Sequence, residues 1–217
     1  MSDARDHEFA ERLEDAGVIA IFRGVPSGEI VGLAETLLRA GVALMEVAFS
    51  DPGAAEQIRL LTDALGQDAF LGAGTVTSRA LAEDAVAAGA RFLVTPHVVE
   101  EVNAFGRERG LPVLGGALTP TEIAAARAQG NAYVKIFPAG PLGPGYVRAL
   151  LGPYPDARLV AVGGVDADNA GAFIRAGAAG VAVGGALTGR GARERGDAGE
   201  TARALLAAVR AAREERA

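Results

Sequence analysis

The chain has 217 residues, half of them hydrophobic, and a formal net charge of −6. This length and composition suit one domain with a substantial core. The acidic balance and the lack of a basic stripe argue against a nucleic-acid partner, and the absence of cysteine excludes disulfides and thiolate metal sites. The two histidines lie far apart in sequence, which argues against a zinc centre. We predict no metal and no cofactor.

The first 16 residues are rich in charge and lack the apolar core of a secretion signal. They predict a short surface helix over residues 1–16, followed by a barrel over residues 17–217. No apolar run reaches the ~18 residues of a membrane span. We therefore expect a cytoplasmic protein without a membrane partner.

From residue 17 onward, a short apolar run, a turn and an amphipathic helix alternate along the chain. Many helices end in Ala-Gly, as at Ala40-Gly41 and Ala88-Gly89, where glycine fits a left-handed C-cap. The predicted strands are Val18–Phe22, Leu44–Phe49, Phe70–Ala73, Phe92–Thr95, Pro112–Gly115, Tyr133–Phe137, Leu159–Val162 and Gly180–Val183.

Apolar strands separated by helices indicate parallel strands buried on both faces. Eight such units predict an α/β fold, a single-domain (β/α)8 TIM barrel, with an open doubly wound sheet as the alternative. We reject a dinucleotide site because Gly72-Ala73-Gly74-Thr75 lacks the third glycine of the fingerprint and the acidic residue about 20 positions later. In a barrel, the active site lies at the carboxyl ends of the strands.

Lys135, in the predicted sixth strand, is the single lysine beside 20 arginines. Burial disfavours the charged amine and lowers its pKa, whereas a nearby carboxylate raises it. A neutral amine can form a Schiff base, which an always protonated guanidinium cannot. We predict Lys135 as the catalytic nucleophile; the alternative is a strand-end lysine that is paired or reaches water.

Glu46 stands between Met45 and Val47 in the predicted second strand. An isolated carboxylate is costly to bury, so its presence there needs a reason. We predict that Glu46 is a general base that moves protons for the amine nucleophile. A structural ion pair with an arginine is the alternative.

Further candidates follow other strands. The planar guanidinium of Arg23 can donate two hydrogen bonds to a substrate carboxylate; the alternative is an exposed loop arginine. The Thr75 hydroxyl can bind the same carboxylate; the alternative is a helix N-cap. Phe137 forms an apolar wall or packs in the core. Glycine pairs after strands seven and eight predict a phosphate cradle, with simple turns as the alternative. The predicted substrate-binding set is Arg23, Thr75, Pro96, Phe137, Gly163, Gly164, Gly184 and Gly185.

Along nearly its full length the chain resembles the class I 2-keto-3-deoxy-6-phosphogluconate / 4-hydroxy-2-oxoglutarate aldolases. The resemblance implies that Lys135 is the Schiff-base lysine and Glu46 the general acid/base, that Arg23 and Thr75 hold the pyruvyl carboxylate, and that the protein is a metal-free homotrimer acting on a small, phosphorylated 2-keto acid. The matching phrases are Ile19-Ala20-Ile21-Phe22-Arg23, Met45-Glu46-Val47, Gly72-Ala73-Gly74-Thr75-Val76, Val94-Thr95-Pro96-His97, Leu118-Thr119-Pro120-Thr121-Glu122, Val134-Lys135-Ile136-Phe137-Pro138, Leu142-Gly143-Pro144-Gly145-Tyr146 and Val162-Gly163-Gly164-Val165.

Three positions depart from the pattern that many members of this family show. Ser50 stands where several carry an arginine, so carboxylate recognition falls more heavily on Arg23. Val162 and Ala186 stand where many carry hydroxyl residues that contact phosphate. Valine at the first of these two positions also occurs in the related 6-phosphogalactonate aldolases.

Two other functions remain open at this point. A phosphosugar epimerase or isomerase on the same barrel would use Glu46 as base, with Lys135 acting only through its charge. A non-catalytic module that binds phosphosugars would keep the phosphate cradle without turnover. Covalent trapping separates the aldolase from the first alternative, because an epimerase forms no adduct with the lysine.

Overall fold

The computed structural model describes residues 4–216, and these form a closed barrel of eight parallel strands in the order β1 to β8. Pairing of β8 with β1 closes the sheet, which confirms the predicted barrel and makes the open-sheet alternative wrong. The strands are β1 Val18–Phe22, β2 Leu44–Ala48, β3 Phe70–Gly74, β4 Phe92–Val94, β5 Val113–Ala117, β6 Tyr133–Ile136, β7 Arg158–Val162 and β8 Gly180–Val183.

Helices connect the strands and surround the barrel. The helix α1 precedes the first strand, and α9 to α11 follow the last one. The helices are α1 Ala4–Ala16, α2 Ser27–Arg39, α3 Ala54–Leu65, α4 Arg79–Ala87, α5 Glu100–Arg109, α6 Pro120–Ala128, α7 Gly143–Leu151, α8 Ala170–Arg175, α9 Gly185–Thr188, α10 Arg190–Arg195 and α11 Ala198–Glu214. No helix within residues 4–216 is long and apolar enough to cross a membrane.

Two apolar clusters follow from the alternation of side chains along each strand. One fills the barrel interior with residues such as Ile19, Phe70 and Phe92, and the other lies between the strands and the surrounding helices. Because parallel strands in a barrel are covered on both faces, nearly every strand residue is buried. This burial on both faces explains why each strand appears in the sequence as a continuous apolar run.

The helix α1 covers the N-terminal end of the barrel. The ring of Phe9 lies 5.0 Å from that of Phe92 and 5.7 Å from that of Tyr133, measured between centroids. Leu13 is completely buried one turn later on the same face of the helix. The predicted N-terminal helix is therefore present, and it closes one end of the core; residues 1–3 lie outside the described part.

Strand ends differ from the predictions by one or two residues. The sixth strand ends at Ile136 rather than Phe137, although the Phe137 amide still donates to the Ala117 carbonyl at 3.2 Å. Pro138 has no amide hydrogen to extend the ladder. The fifth strand runs on through Gly116 and Ala117, which pair with Lys135 and Ile136. This pairing places Gly116 beside Lys135.

Candidate active site

A cavity of about 670 Å³ opens at the C-terminal end of the barrel. All ten predicted site residues line it, contributed by the ends of β1 to β4 and β6 to β8 and by the loops that follow them. Among the residues that sequence reasoning did not select, Ile21, Val165, Asp166, Ala182, Thr188 and Gly189 also line the cavity. Asp166 could have been predicted to line the cavity, because it lies two residues after the Gly163-Gly164 pair that follows β7.

Lys135 projects from β6 into this cavity and is only 6% exposed. Its Nζ atom lies 5.1 Å from the centroid of the Phe137 ring, and within residues 4–216 no ion pair includes this amine. Burial lowers the pKa of Lys135, the charge of Glu46 raises it, and the charge of Arg23 lowers it, with burial the largest effect. The amine is thus shifted toward its neutral form.

Glu46 reaches the same cavity from β2 and is 3% exposed. Its Oε2 atom has no hydrogen-bond partner among the described residues, and no arginine there lies within ion-pair distance. The predicted alternative of a structural ion pair is therefore wrong. Burial raises the pKa of Glu46 more than the charges of Lys135 and Arg23 lower it. A carboxyl group in this state can both accept and release a proton.

Gly74 makes room for this carboxylate. A Cβ atom at position 74 would lie 2.6 Å from Oε1 of Glu46 and 2.9 Å from its Cδ, closer than side-chain atoms pack. In the register of β2 and β3, Glu46 lies opposite Gly72 and Gly74 lies opposite Ala48, so Gly74 is two residues further along the neighbouring strand than the partner of Glu46. The absence of a side chain at Gly74, the last residue of β3, therefore leaves the space that the Glu46 carboxylate occupies.

Arg23 and Thr75 meet across the mouth of the cavity. Nη2 of Arg23 donates to Oγ1 of Thr75 at 2.8 Å, and Nη1 donates to Oγ of Ser50 at 2.7 Å. Thr75 has φ 60, a left-handed conformation that β-branched residues rarely adopt. The N-cap of α4 is Ser78, so the alternative role of Thr75 as a helix cap is wrong.

The two glycine pairs form the other half of the cavity. Gly163 and Gly164 both have positive φ, 87 and 73, and the amide of Gly140 donates to the Gly163 carbonyl at 2.7 Å. Gly185 begins α9, in which the amides of Leu187 and Thr188 donate to the Gly184 carbonyl at 2.9 and 2.8 Å, so the amides that an anion could contact are those of Gly185 and Ala186. Exposed backbone amides of this kind attract anions. Arg23 and Lys135 are the cations lining the cavity, and neither belongs to these glycine loops.

A second cavity, of about 380 Å³, lies at the opposite end of the barrel beside α1. A chain of amides crosses its wall: Asn131 donates to Asn103 at 3.0 Å, and Asn103 donates to Gln129 at 2.5 Å. No lysine lines this cavity. The amine of Lys135 and the carboxylate of Glu46 thus both line the C-terminal cavity.

The sequence and the fold of the chain are similar to those of known proteins. A family model described as KDPG and KHG aldolase matches residues 9–203. The chain belongs to this aldolase family. It is therefore a carbon–carbon lyase by family, and the buried Lys135 and Glu46 lie in the position where TIM-barrel enzymes carry their active sites.

Individual members of the KDPG and KHG aldolase family differ in their substrates. The 2-dehydro-3-deoxy-6-phosphogalactonate aldolase of Escherichia coli (strain K12) is 34% identical over 168 residues, which are 77% of this chain and 82% of the relative. The 2-dehydro-3-deoxy-phosphogluconate aldolase of Treponema pallidum (strain Nichols) is 36% identical over 165 residues, 76% and 78% of the two chains. A solved structure described as native KDPGal has a TM-score of 0.85 at 32% identity and covers 91% of this chain and 96% of its own.

Proposed function

We propose that the protein is a class I aldolase that cleaves 2-keto-3-deoxy-6-phosphogluconate into pyruvate and glyceraldehyde 3-phosphate through a Schiff base on Lys135. The same chemistry would cleave 4-hydroxy-2-oxoglutarate into pyruvate and glyoxylate. The observation that carries this proposal is the desolvated amine of Lys135 in one cavity with the buried carboxyl group of Glu46, whose Oε2 atom has no hydrogen-bond partner within residues 4–216. An epimerase has no need for the lowered pKa of this amine.

The first step is attack of the neutral Lys135 amine on the 2-keto carbon. A free lysine with a pKa near 10.4 is neutral in about one molecule in 2,500 at pH 7, and burial increases that fraction. Glu46, directly or through water, protonates the carbinolamine oxygen so that it leaves as water. The product is an iminium, which can accept an electron pair from the substrate chain.

Cleavage follows between C3 and C4. Glu46 or its water takes the proton of the C4 hydroxyl, the C4 oxygen forms the aldehyde, and the electron pair of the C3–C4 bond moves toward the iminium nitrogen. This leaves an enamine. Protonation of its C3 carbon by Glu46 and addition of water then release pyruvate and restore the free amine. One carboxyl group with a raised pKa serves both directions of proton transfer.

Arg23 and Thr75 bind the C1 carboxylate in this scheme. Both line the cavity at the end that also contains the amine, and Arg23 is the cation that can approach the substrate without taking part in catalysis. Pro96 and Phe137 form apolar walls, with the Phe137 ring next to the amine. These walls keep water from the amine and so maintain its low pKa.

Backbone amides of the glycine loops bind the phosphate. Gly163 and Gly164 have positive φ, and Gly184 and Gly185 are the N-cap and the first residue of α9, so both segments present amides rather than side chains. A phosphate held by backbone amides needs no lysine or arginine there. We expect phosphate to increase affinity for the substrate without being essential to the Schiff base.

The galactonate epimer of the substrate is a second candidate. Val162 lines the cavity between the lysine and the glycine loop and offers no hydroxyl group to the substrate. The E. coli relative named above acts, by its name, on the phosphogalactonate compound. We expect kcat/KM for the two C4 epimers to separate the candidates, and we expect Val162→Thr to shift the ratio toward the gluconate epimer.

The test of the proposed function is covalent trapping. The protein is incubated with pyruvate and borohydride, and its intact mass and peptide masses are measured. We expect a reduced pyruvyl adduct on Lys135 and none in Lys135→Arg. A folded wild-type protein without adduct would overturn the aldolase mechanism and favour the epimerase or the non-catalytic module.

We also propose that the protein assembles as a homotrimer. The resemblance to the aldolase family implies this state, and Leu142, which does not line the cavity, is 44% exposed in the loop after β6. Light scattering coupled to size exclusion measures the mass of the assembly directly. A mass of one protomer at micromolar concentration would overturn this part of the proposal.

A further inference from the structure

Arg23 is held by hydroxyl groups rather than by carboxylates. Within residues 4–216, ten arginines form ion pairs with aspartate or glutamate, and Arg23 is not among them. Its guanidinium instead donates to Oγ of Ser50 at 2.7 Å and to Oγ1 of Thr75 at 2.8 Å. These two hydrogen bonds, one to Ser50 and one to Thr75, fix the direction of the Arg23 side chain.

This choice of partners leaves the charge of Arg23 available. A carboxylate partner would neutralise the guanidinium and occupy its fork, whereas a hydroxyl takes one hydrogen and carries no charge. Two of the five N–H groups are used in the contacts with Ser50 and Thr75. The remaining donors can bind an incoming carboxylate.

Asp51 in turn orients Ser50. The Ser50 hydroxyl donates to Oδ1 of Asp51 at 3.3 Å, so its lone pairs are left to accept from Arg23. The other oxygen of Asp51 accepts from the amide of Gly24 at 2.5 Å, next to Arg23 in the chain. The Asp51 carboxylate thus joins the loops after β1 and β2, and the Ser50 hydroxyl lies between this carboxylate and the Arg23 guanidinium.

We propose that Ser50, oriented by Asp51, is a positioning residue that directs Arg23 toward the carboxylate of the 2-keto acid. The inference rests on the proposed function and adds to it how the site recognises the carboxylate of the substrate. Ser50 does not line the cavity, so it acts through Arg23 and not on the substrate. Its loss leaves the amine and Glu46 unchanged.

The experiment measures the pyruvate concentration that gives half-maximal borohydride-trapped adduct. We expect Ser50→Ala to raise this concentration about tenfold, as for loss of a hydrogen bond to a charged group, with an unchanged yield of adduct at saturation. Ser50→Thr keeps the hydroxyl and should stay within about twofold of wild type. Asp51→Asn should give an intermediate increase, because its amide oxygen still accepts a hydrogen bond but carries no charge.

Two controls separate positioning from a general structural role. Ser27→Ala removes a hydroxyl at the start of α2 that accepts a hydrogen bond from Gln57 and not from Arg23, and we expect no change. Pyruvamide lacks the carboxylate, so its half-maximal concentration should be the same for Ser50→Ala and wild type. An equal increase for pyruvate and pyruvamide, or an unchanged value for pyruvate, would overturn the inference while the adduct itself upholds the proposed function. No adduct in wild type would overturn both.

Discussion

The two ends of the barrel have opposite properties. At the N-terminal end, Phe9 packs on aromatic rings and Leu13 is fully buried. Arg213 of α11 donates to the carbonyl oxygens of Leu13 and Asp15 at 3.1 Å each and to that of Glu14, at the end of α1. These bonds satisfy acceptors that a helix C-terminus otherwise leaves without partners.

At the C-terminal end, the same fold keeps groups in unfavourable states. Oε2 of Glu46 has no partner among the described residues, the amine of Lys135 is desolvated, and Thr75 has a left-handed backbone. Unpaired buried polar groups and strained conformations each lower stability by about 1–3 kcal/mol. Packing at the closed end therefore offsets the cost of reactive groups at the open end.

The largest effect is expected from Lys135→Arg at the open end. Turnover should fall by at least about a thousandfold, because a guanidinium stays protonated and cannot form the Schiff base. Pyruvate release measures the activity, and far-UV circular dichroism checks the fold. Lys135→Met serves as the uncharged control. Substantial turnover in the arginine variant would contradict the role of the lysine.

Phe9→Ala at the closed end should have the reverse profile. We expect the free energy of unfolding to fall by about 3 kcal/mol, as for loss of a buried aromatic ring, with kcat and KM within about twofold of wild type at 25 °C. Urea unfolding measures the first quantity and steady-state kinetics the second. Glu11→Ala, on the exposed side of α1, is the control and should change stability by less than about 0.5 kcal/mol. A loss of kcat in stable Phe9→Ala would break the separation of the two ends.

Glu46→Gln should lower kcat by about a hundredfold, because the amide cannot transfer protons but fills the same space beside Gly74. Trapping of pyruvate should become slower without being lost. Removing the negative charge of Glu46 also lowers the pKa of Lys135 further, so the midpoint of adduct formation with pH should move to lower pH. An unchanged kcat would exclude Glu46 as the proton carrier.

The same variant tests the cost of the buried carboxylate. Since the folded pKa of Glu46 is raised above 4.5, its contribution to stability is present below pH 4.5 and is lost as pH rises through the folded value. The unfolding free energy of wild type should therefore decline relative to Glu46→Gln from about pH 4.5 upward. A difference that stays constant between pH 4 and pH 8 would show that burial does not perturb this group.

The smallest effect is expected from Thr75→Gly. Glycine adopts positive φ without strain, so stability should rise by about 1 kcal/mol. The KM for the keto acid should rise severalfold, because Arg23 loses an accepting hydroxyl. Thr75→Ser retains the hydroxyl and should leave KM within about twofold of wild type. Lower stability of the glycine variant would contradict the assignment of strain to this residue.

Much of the architecture and the membership of the site could be predicted from the sequence. Each strand was a short apolar run, because strands covered on both faces contain few polar residues. The glycines after the helices, such as Gly41 and Gly89, have the positive φ that was expected of them. The strand ends then identified the cavity-lining residues, because a barrel brings the carboxyl ends of all its strands together.

The barrel, the buried amine and the carboxylate can thus be predicted from the amino-acid sequence, since hydrophobic period, turn chemistry and composition are read directly along the chain. How these groups are held depends on the folded structure. Ser50 and Thr75 lie 27 and 52 positions from Arg23, and no pattern in the chain reveals that both bind its guanidinium. The missing partner of Glu46 and the space left by Gly74 likewise depend on distances between strands, which exist only after the barrel has closed.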